Sequence, residues 1–251
     1  MNFSIIIPTF NSAKTIQKNL DSIILQTFEN YQVVVIDNSS TDETINIIKK
    51  NEIKNIKFLI EKDDGIFDAI NKGIKISDNE YISVLHSDDF YNDKDVLQNV
   101  FNAFEEDTSN DIVYGNLIYV KKDNINSNIR YWKPGPFRKD SFFKGWHPPH
   151  PSFFVKKKLF KKFGYYDHKI GNSADVELMY RYMEINGINS KYINKTLVKM
   201  RYGGASNKNF LSIYKQNIQI LRSLKINKNF FKIIIFFVYK FFDRLKQFVI
   251  T

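Results

Sequence analysis

Four short apolar runs, separated by helical patterns, constrain the fold of this chain more than any other feature. The runs FSIII, YQVVVI, IKFLI and YISVL have the lengths of buried strands and are rich in β-branched residues. Between the first two runs, apolar residues recur at helical spacing, at Ile16, Leu20, Ile23 and Ile24. Strands that alternate with helices of this length predict an α/β fold with a mostly parallel, doubly wound sheet.

Polar residues follow three of these strands at the points where the strands end. The first strand, which Pro8 is expected to stop, leads into PTFN; the second ends on DNSS and the fourth on HSDD. Because parallel strands share a carboxyl edge, the three clusters should lie together. Asp88 and Asp89 would repel each other there unless a cation neutralised them, as a divalent metal bridging to a diphosphate would. Alternatively, Asp89 or Asp93 caps the helix that begins near Lys94.

Several common site types have no support in the sequence. There is no Walker A loop and no G-x-G-x-x-G, so ATPase and dinucleotide-binding functions lose their main signal. The chain contains no cysteine, which excludes disulfides and thiolate zinc sites. Zinc is also not expected at His147 and His150, since no third nitrogen or sulfur ligand is near. We expect no signal peptide, because an apolar strand follows Met1-Asn2 without a basic leader.

The last part of the chain, residues 206–251, carries most of the net charge. It has nine Lys or Arg against one acid, a net +8 of the +10 of the whole chain. Its end, NFFKIIIFFVYKFFDRLKQFVI, has no uncharged run long enough to span a bilayer. This pattern favours a basic amphipathic helix that lies on a membrane surface. The alternative is a helix packed on its own domain or on a second subunit. A nucleic-acid partner is not expected, because the charge lies in an apolar tail.

Five segments together resemble one known family. They are SIIIPTFNSAKTIQKNLDSIILQTFENYQVVVIDNSSTDET, GIFDAINKGI, YISVLHSDD, HPPHPSFFVKKKLFKKFGYYD and SADVELMYR, and they occur in the family's order and spacing. The chain resembles the inverting family 2 glycosyltransferases, which have a Rossmann-like GT-A fold. Within the family it is similar to the branch that builds bacterial capsule, O-antigen and exopolysaccharide repeat units. The resemblance implies a GT-A domain over residues 1–205, with a nucleotide-sugar half (1–93) and an acceptor-binding half (94–205).

The resemblance also implies roles for donor-binding residues. Asp89 would be the main ligand of Mn²⁺ or Mg²⁺. Asp88 would lie on the side of the donor ribose or of the metal. His86 stands where the family motif often has its first acid, which is a departure from the pattern. The other residues that would bind the nucleotide sugar are Pro8, Thr9 and Phe10 around the base, Asp37 on a base N–H, and Asp64 and Asn71 near the ribose and diphosphate.

On the acceptor side, Asp175 matches the family's general base. Inversion in one displacement requires an acceptor hydroxyl to lose its proton opposite the leaving group. Asp175 could also be a plain helix N-cap, and the two roles are compatible. Glu177 is the neighbouring candidate, but it should lie on another helix face. Trp146, His147 and His150 are candidate acceptor-binding residues, and Arg201 is expected at the surface.

The resulting prediction is a metal-dependent, inverting hexosyltransferase. Its donor would be a nucleotide-diphosphate sugar, with UDP-sugars favoured, and its acceptor a polyprenyl-diphosphate-linked glycan of surface polysaccharide synthesis. We expect it in the cytoplasm, peripheral on the inner face of the cell membrane, with a homodimer as an open alternative. The rival hypotheses are a nucleotidyl- or phosphotransferase with the same metal site, and a non-catalytic sugar-nucleotide-binding or scaffold protein.

Overall fold

One nine-stranded sheet organises the chain in a computed structural model that describes residues 3–203, 210–224 and 230–249. Its strands are β1 (Phe3–Thr9), β2 (Tyr31–Asp37), β3 (Ile56–Ile60), β4 (Tyr81–Val84), β5 (Phe90–Tyr91), β6 (Ile112–Val120), β7 (Asn128–Trp132), β8 (Phe153–Lys156) and β9 (Ser190–Arg201). The helices are α1 (Ile16–Ile24), α2 (Thr44–Lys49), α3 (Ile66–Ile76), α4 (Val96–Glu106), α5 (Lys158–Phe163), α6 (Ala174–Met179), α7 (Phe210–Ser223) and α8 (Phe230–Val249). A π-helical segment, Tyr180–Ile185, continues α6.

The strand order combines a parallel half with a mixed half. The order is β3-β2-β1-β4-β8-β6-β9-β5, with β7 beside β6. The first four strands in this order are parallel, as the sequence predicts. β8 is antiparallel to both β4 and β6, whereas β9 is parallel to β6. The predicted α/β class, a largely parallel doubly wound sheet, is confirmed, and the antiparallel strands close its later half.

β1 does not stop at Pro8 but continues to Thr9. The carbonyl of Ile6 accepts a hydrogen bond from the backbone N–H of Leu85, so Ile6 faces β4. Pro8, two residues on, has its backbone on the same side of the strand, where pairing with β4 has already ended at Val84. The N–H that proline lacks would have had no partner there, so the strand tolerates it.

Two hydrophobic clusters cover the two faces of the sheet. One contains alternate residues of β1 and β2 with α1 and α4. The other contains the intervening residues, such as Ile6 and Val34, with α3, α5, α6, α7 and α8. α3 lies so close to β1 that a Cβ on Gly73 would be 2.5 Å from Ile6 Cγ2. This second face supports the helices that build the site.

α8 packs on the body of the protein through one of its faces. Phe236 is fully buried in the second cluster, and Ile233 and Phe237 pack against it. The opposite face exposes a set of large apolar side chains: Phe230, Phe231, Ile234, Ile235, Val238, Tyr239, Phe241, Phe242, Leu245 and Phe248. Among the described residues, no helix has the length and apolar character needed to cross a membrane. The predicted boundary at residues 205–206 lies outside the described residues.

Candidate active site

A cavity of about 620 Å³ lies at the carboxyl edge of the parallel strands. It brings together segments that are far apart in the sequence, as the rule for open α/β sheets leads one to expect. Among its lining residues are Pro8, His86, Asp88, Arg130, Trp146, His147, His150, Asp175, Lys240 and Arg244. The acid cluster after β4, the proline-rich loop (residues 145–151), α6 and α8 therefore share one cavity.

The side chains of His86, Asp88 and Asp89 form a cluster that fits a divalent cation. One ligand atom from each lies within 4.8 Å of the others. Asp89 is fully buried, and neither of its carboxylate oxygens nor His86 Nε2 has a hydrogen-bond partner among the described residues. Burial and the neighbouring Asp88 raise the pKa of Asp89 well above its ordinary value. Buried carboxylate oxygens without partners are unfavourable, and a cation would compensate them.

The three residues of this cluster have different positions. His86 and Asp88 line the cavity, whereas Asp89 is closed off from solvent, with Oδ2 3.8 Å from His86 Nδ1. Burial lowers the pKa of His86, against the opposing effect of Asp88, so its ring is neutral and able to act as a ligand. The alternative of a helix cap does not hold for Asp89, because α4 begins only at Val96.

Arg201, which the sequence placed at the surface, is buried beside this cluster. Its guanidinium donates a hydrogen bond to the backbone carbonyl of Asp88 and lies over the ring of Phe90, 5.2 Å from the centroid. The surface prediction was wrong because β9 pairs with the two-residue strand β5, which the sequence did not reveal. Arg201 thus fixes the backbone that presents the acids.

The strand-end clusters meet as predicted. Thr9 Oγ1 donates to Asp37 Oδ2 at 2.8 Å, and the hydroxyls of Ser12 and Ser87 are 2.8 Å apart. Asp37 is fully buried, and its carboxylate also accepts hydrogen bonds from the N–H and Oγ of Ser40, both at 2.7 Å. Its contact with a base N–H stays a prediction. Phe10 is 57% exposed and is not among the lining residues, although Pro8, two residues before it, is.

Five predicted donor-binding residues are not among those that line the cavity: Thr9, Phe10, Asp37, Asp64 and Asn71. Asp64 is exposed in the loop before α3. Asn71 is buried, and its side-chain amide is used by the backbone of Tyr166: Nδ2 donates to the carbonyl at 2.8 Å, and Oδ1 accepts from the N–H at 3.1 Å. The geometry does not support a donor contact for Asn71, because both of its polar atoms tie α3 to the segment after α5.

Asp175 faces the cavity from the first turn of α6. The helix begins at Ala174, so Ser173 and not Asp175 occupies the cap position. The Asp175 carboxylate accepts one hydrogen bond, from the N–H of Val176 at 2.8 Å. Burial raises its pKa to about 6. Such a carboxylate is ionised at neutral pH and more basic than an exposed one, which suits a general base.

Glu177, the neighbouring acid, is engaged elsewhere. Its two carboxylate oxygens accept hydrogen bonds from Arg181 Nε and Nη2 at 2.8 and 2.9 Å. Arg181 also donates to the backbone carbonyls of Gly164 and Tyr165, at 3.0 and 2.9 Å. The pair is a structural clamp between α6 and the end of α5, so Asp175 is the acid of this helix left for chemistry.

The three aromatic candidates of the proline-rich loop all line the cavity. Trp146 Nε1 donates to the carbonyl of Pro134 at 2.7 Å, and His150 Nε2 lies 2.9 Å from the hydroxyl of Tyr166. Burial, with Lys240 nearby, lowers the pKa of His147 to about 3, and burial also lowers the pKa of His150 well below its ordinary value. Both rings are therefore neutral at physiological pH, and they offer hydrogen bonds and apolar surface but no charge.

A basic wall of the cavity escaped the sequence analysis. Lys240 and Arg244 lie one helical turn apart on α8 and both line the cavity. Arg130 of β7 also lines the cavity, and its Nε donates a hydrogen bond to Gln247 Oε1 of α8 at 2.7 Å. The spacing of Lys240, Arg244 and Gln247 on one helix face is a usable signal in the sequence, but the basic composition of this helix favours a membrane surface over packing on the domain.

Solved structures share this architecture. The structure of S. aureus TarS residues 1–349 matches with a TM-score of 0.66 at 21% identity, covering 98% of this chain and 72% of that one. The complex of the same protein with UDP-GlcNAc matches with a TM-score of 0.65 at 20% identity and covers 92% and 72%. The mannosyltransferase PcManGT from Pyrobaculum calidifontis, solved with GDP-Man and Mn²⁺, gives a TM-score of 0.61 at 19% identity and covers 90% and 62%. The fold is that of the GT-A glycosyltransferases.

Sequence comparison then defines the family. A PGL/p-HBAD biosynthesis glycosyltransferase of Mycobacterium bovis is 30% identical over 209 residues, which are 82% of this chain and 79% of that protein. An uncharacterized glycosyltransferase of Methanocaldococcus jannaschii is 28% identical over 233 residues, 88% and 78% of the two chains. The family model described as glycosyl transferase family 2 matches residues 4–164. The chain belongs to glycosyl transferase family 2, and it is a glycosyltransferase.

Proposed function

We propose that this enzyme transfers a hexose from a UDP-sugar to a hydroxyl group of a lipid-linked glycan, with inversion at the anomeric carbon. The observation that carries the proposal is the position of Asp175. A carboxylate with a pKa of about 6 faces the same cavity as Asp88. One cavity therefore holds a candidate base and a candidate cation site, which are the two functions that a single displacement requires.

The donor would bind along the strand ends. Pro8, Thr9 and Phe10, at and just after the end of β1, would surround the base. His86, Asp88 and Asp89 would hold Mn²⁺ or Mg²⁺, which when bound would neutralise the charge of the departing diphosphate. UDP-sugars are favoured because TarS, which shares the fold, binds UDP-GlcNAc.

The chain's own base completes the reaction. Asp175 accepts the proton of the acceptor hydroxyl while the hydroxyl oxygen bonds to the anomeric carbon. The bond from that carbon to the diphosphate oxygen breaks, and its electron pair leaves with the nucleotide. Because attack and departure occur on opposite sides, the configuration inverts. Trp146, His147 and His150 would surround the acceptor sugar with neutral groups.

The acceptor's lipid would be reached through α8. The outward face of this helix exposes Phe231, Phe241 and Phe242 among other apolar residues, with lysines interspersed. An aromatic face with basic residues suits the headgroup region of an anionic membrane. This supports a peripheral position on the inner face of the cell membrane and a role in surface polysaccharide synthesis of the capsule or O-antigen type.

Nucleotide binding tests the donor assignment. The melting temperature of the full chain is measured with UDP, GDP, dTDP, CMP and ADP, each with and without Mn²⁺. We expect UDP with Mn²⁺ to raise it by several degrees, because a ligand at a hundredfold excess over its Kd stabilises by about 2.7 kcal/mol. A UDP effect that persists unchanged in Asp89→Ala would contradict the metal site. The absence of any nucleotide effect would favour the non-catalytic scaffold hypothesis.

Vesicle binding tests the role of α8. Phe241 and Phe242 are 60% and 56% exposed, so replacing both with serine should leave the fold intact. We expect the double variant to lose flotation with phosphatidylglycerol vesicles, while Leu25→Ser, at an exposed apolar residue of the body, retains it. Equal flotation of the double variant would exclude this face as the anchor. A dimer that the double variant converts to monomer would identify the face as a subunit interface.

A further inference from the structure

The inner face of α8 approaches the body closely enough to place charged residues inside the cavity. A Cβ on Gly145, whose φ is +77°, would lie 2.9 Å from Lys240 Cβ. Lys240 is partly buried, and its ammonium lies 5.0 Å from the centroid of the Phe236 ring. The helix backbone is therefore fixed against the turn 142–145, and Lys240 is held at the cavity wall.

Among the described residues, no carboxylate lies within ion-pairing distance of Lys240, Arg244 or Arg130. Asp243, which also lines the cavity, pairs with Lys246 at 3.8 Å. Arg130 is nearly fully buried, and its guanidinium is stacked 4.7 Å from the ring centroid of Tyr119 and 5.5 Å from that of Trp132. Buried cations without counterions are unfavourable unless a ligand supplies the negative charge.

The three cations are close enough to affect one another. Burial lowers the pKa of Lys240 to about 7; Arg244 and Arg130 act in the same direction, while Asp175 opposes them. Two carboxylates on this side of the cavity, the candidate base Asp175 and Asp243, which pairs with Lys246, do not balance the three cations. An anion bound between them would restore the full charge of Lys240.

We propose that Lys240, Arg244 and Arg130 form a phosphate-binding subsite that takes a phosphate or diphosphate group of a substrate. Arginine forks and a lysine ammonium are the side chains that bind such groups most strongly. Two substrates could bring the group: the acceptor, if it carries a phosphate, and the nucleotide sugar. The assignment to the acceptor rests on the proposed function, since Lys240 lines the same cavity as Asp175 and the donor diphosphate has the cluster of His86, Asp88 and Asp89.

The test measures binding of defined probes to the full chain by calorimetry. Geranyl diphosphate represents a lipid diphosphate, geraniol is its uncharged control, and UDP with Mn²⁺ represents the donor. Lys240→Gln and Arg244→Gln should each weaken the affinity for geranyl diphosphate about tenfold, the loss expected for one charge-assisted contact. Lys240→Arg should retain the affinity, and Lys54→Gln, at an exposed lysine between α2 and β3, should match the original protein.

The outcomes separate the two sources and the two proposals. Loss of geranyl diphosphate binding with unchanged UDP binding assigns the subsite to the acceptor. An equal loss for UDP assigns it to the nucleotide diphosphate, and both results support the subsite. If Lys240→Gln and Arg244→Gln bind both probes like the original protein, the subsite is refuted. If geranyl diphosphate binds through Lys240 while no nucleotide binds, the proposed function fails and the subsite stands.

Discussion

The wall of the cavity formed by the ends of β1, β2 and β4 differs from the wall formed by α6 and α8 in how its polar groups are satisfied. Asp37, on the first wall, accepts hydrogen bonds from Thr9 and Ser40 and is closed off from solvent. Asp175, on the second wall, accepts one hydrogen bond, from the residue that follows it, and Lys240 has no ion pair among the described residues. The first wall is preorganised by its own hydrogen bonds, whereas the second presents charge that a ligand can neutralise.

Asp89 is the exception that sharpens this contrast. It belongs to the strand-end wall, yet both of its carboxylate oxygens lack partners among the described residues. Arg201 contacts the backbone of Asp88 and leaves the Asp89 oxygens unpaired. Within this site, unsatisfied groups thus occur where a cation or a substrate is proposed to bind, and satisfied ones where the loops need a fixed shape.

Replacing Asp175 with asparagine should give the largest effect. Loss of a general base lowers the rate about 10²- to 10⁴-fold, while the amide keeps the size of the side chain. UDP binding with Mn²⁺ should be unchanged, because Asp175 lies on the other wall. Sugar transfer and the UDP-dependent melting temperature are the two measurements. Glu177→Gln is the matched control, and transfer by Asp175→Asn at the original rate would remove Asp175 from the base role.

The pH dependence of transfer gives an independent readout of the same carboxylate. A base must be deprotonated to act, so a pKa of about 6 predicts that transfer rises with pH through about 6 and levels off above it. An aspartate with an ordinary pKa is half-protonated near pH 3.8, so the raised pKa of Asp175 moves the rise in the transfer rate to higher pH. Measuring the transfer rate at saturating acceptor and donor isolates the ionisation of this group. A rate that does not change between pH 5 and 7 would contradict the assignment.

These two walls also differ in how far the sequence predicts them. β3 was predicted at its observed bounds, and the three polar clusters meet as expected, because strand periodicity and parallel edges are local consequences of the sequence. The contact of Arg130 with Gln247 joins residues 117 positions apart, and that of Arg201 with Asp88 joins residues 113 apart. The first contact depends on which face of α8 packs inward, and the second on the pairing of β9 with β5. In α8, aromatic residues on most of the circumference hid the inner stripe around Phe236.

Loosening α8 from the turn 142–145 should have the next largest effect. Gly145 and Gly135 both have positive φ, at +77° and +70°, but only a Cβ on Gly145 would contact Lys240, while one on Gly135 has nothing within 4 Å. Alanine at either position should lower the free energy of unfolding by about 1 kcal/mol through backbone strain. Gly145→Ala should lower the free energy of unfolding by about 1–3 kcal/mol more, because the added methyl group overpacks against Lys240. Urea unfolding measures the difference, and equal losses would show that α8 does not rest on this turn.

On the strand-end side, Asn71→Ala should lower stability without affecting the donor. The change leaves the backbone N–H and carbonyl of Tyr166 without their partners, which should lower the free energy of unfolding by about 2–3 kcal/mol. The Kd for UDP with Mn²⁺ should remain that of the original protein, because both polar atoms of Asn71 serve the fold. Urea unfolding and calorimetry are the measurements. A weaker UDP affinity at unchanged stability would instead support the donor contact that the sequence suggested.

The smallest effect is expected at Phe10, where a binding role and a structural role make opposite predictions. Its ring is 57% exposed, so Phe10→Ala should change the free energy of unfolding by less than about 0.5 kcal/mol. If the ring packs on the base, the UDP affinity should fall about fivefold, the value of one aromatic contact. Leu25→Ala, 65% exposed beyond the end of α1, is the control and should change neither quantity. Unchanged UDP affinity in Phe10→Ala would place the base elsewhere and restrict the preorganised wall to its buried hydrogen bonds.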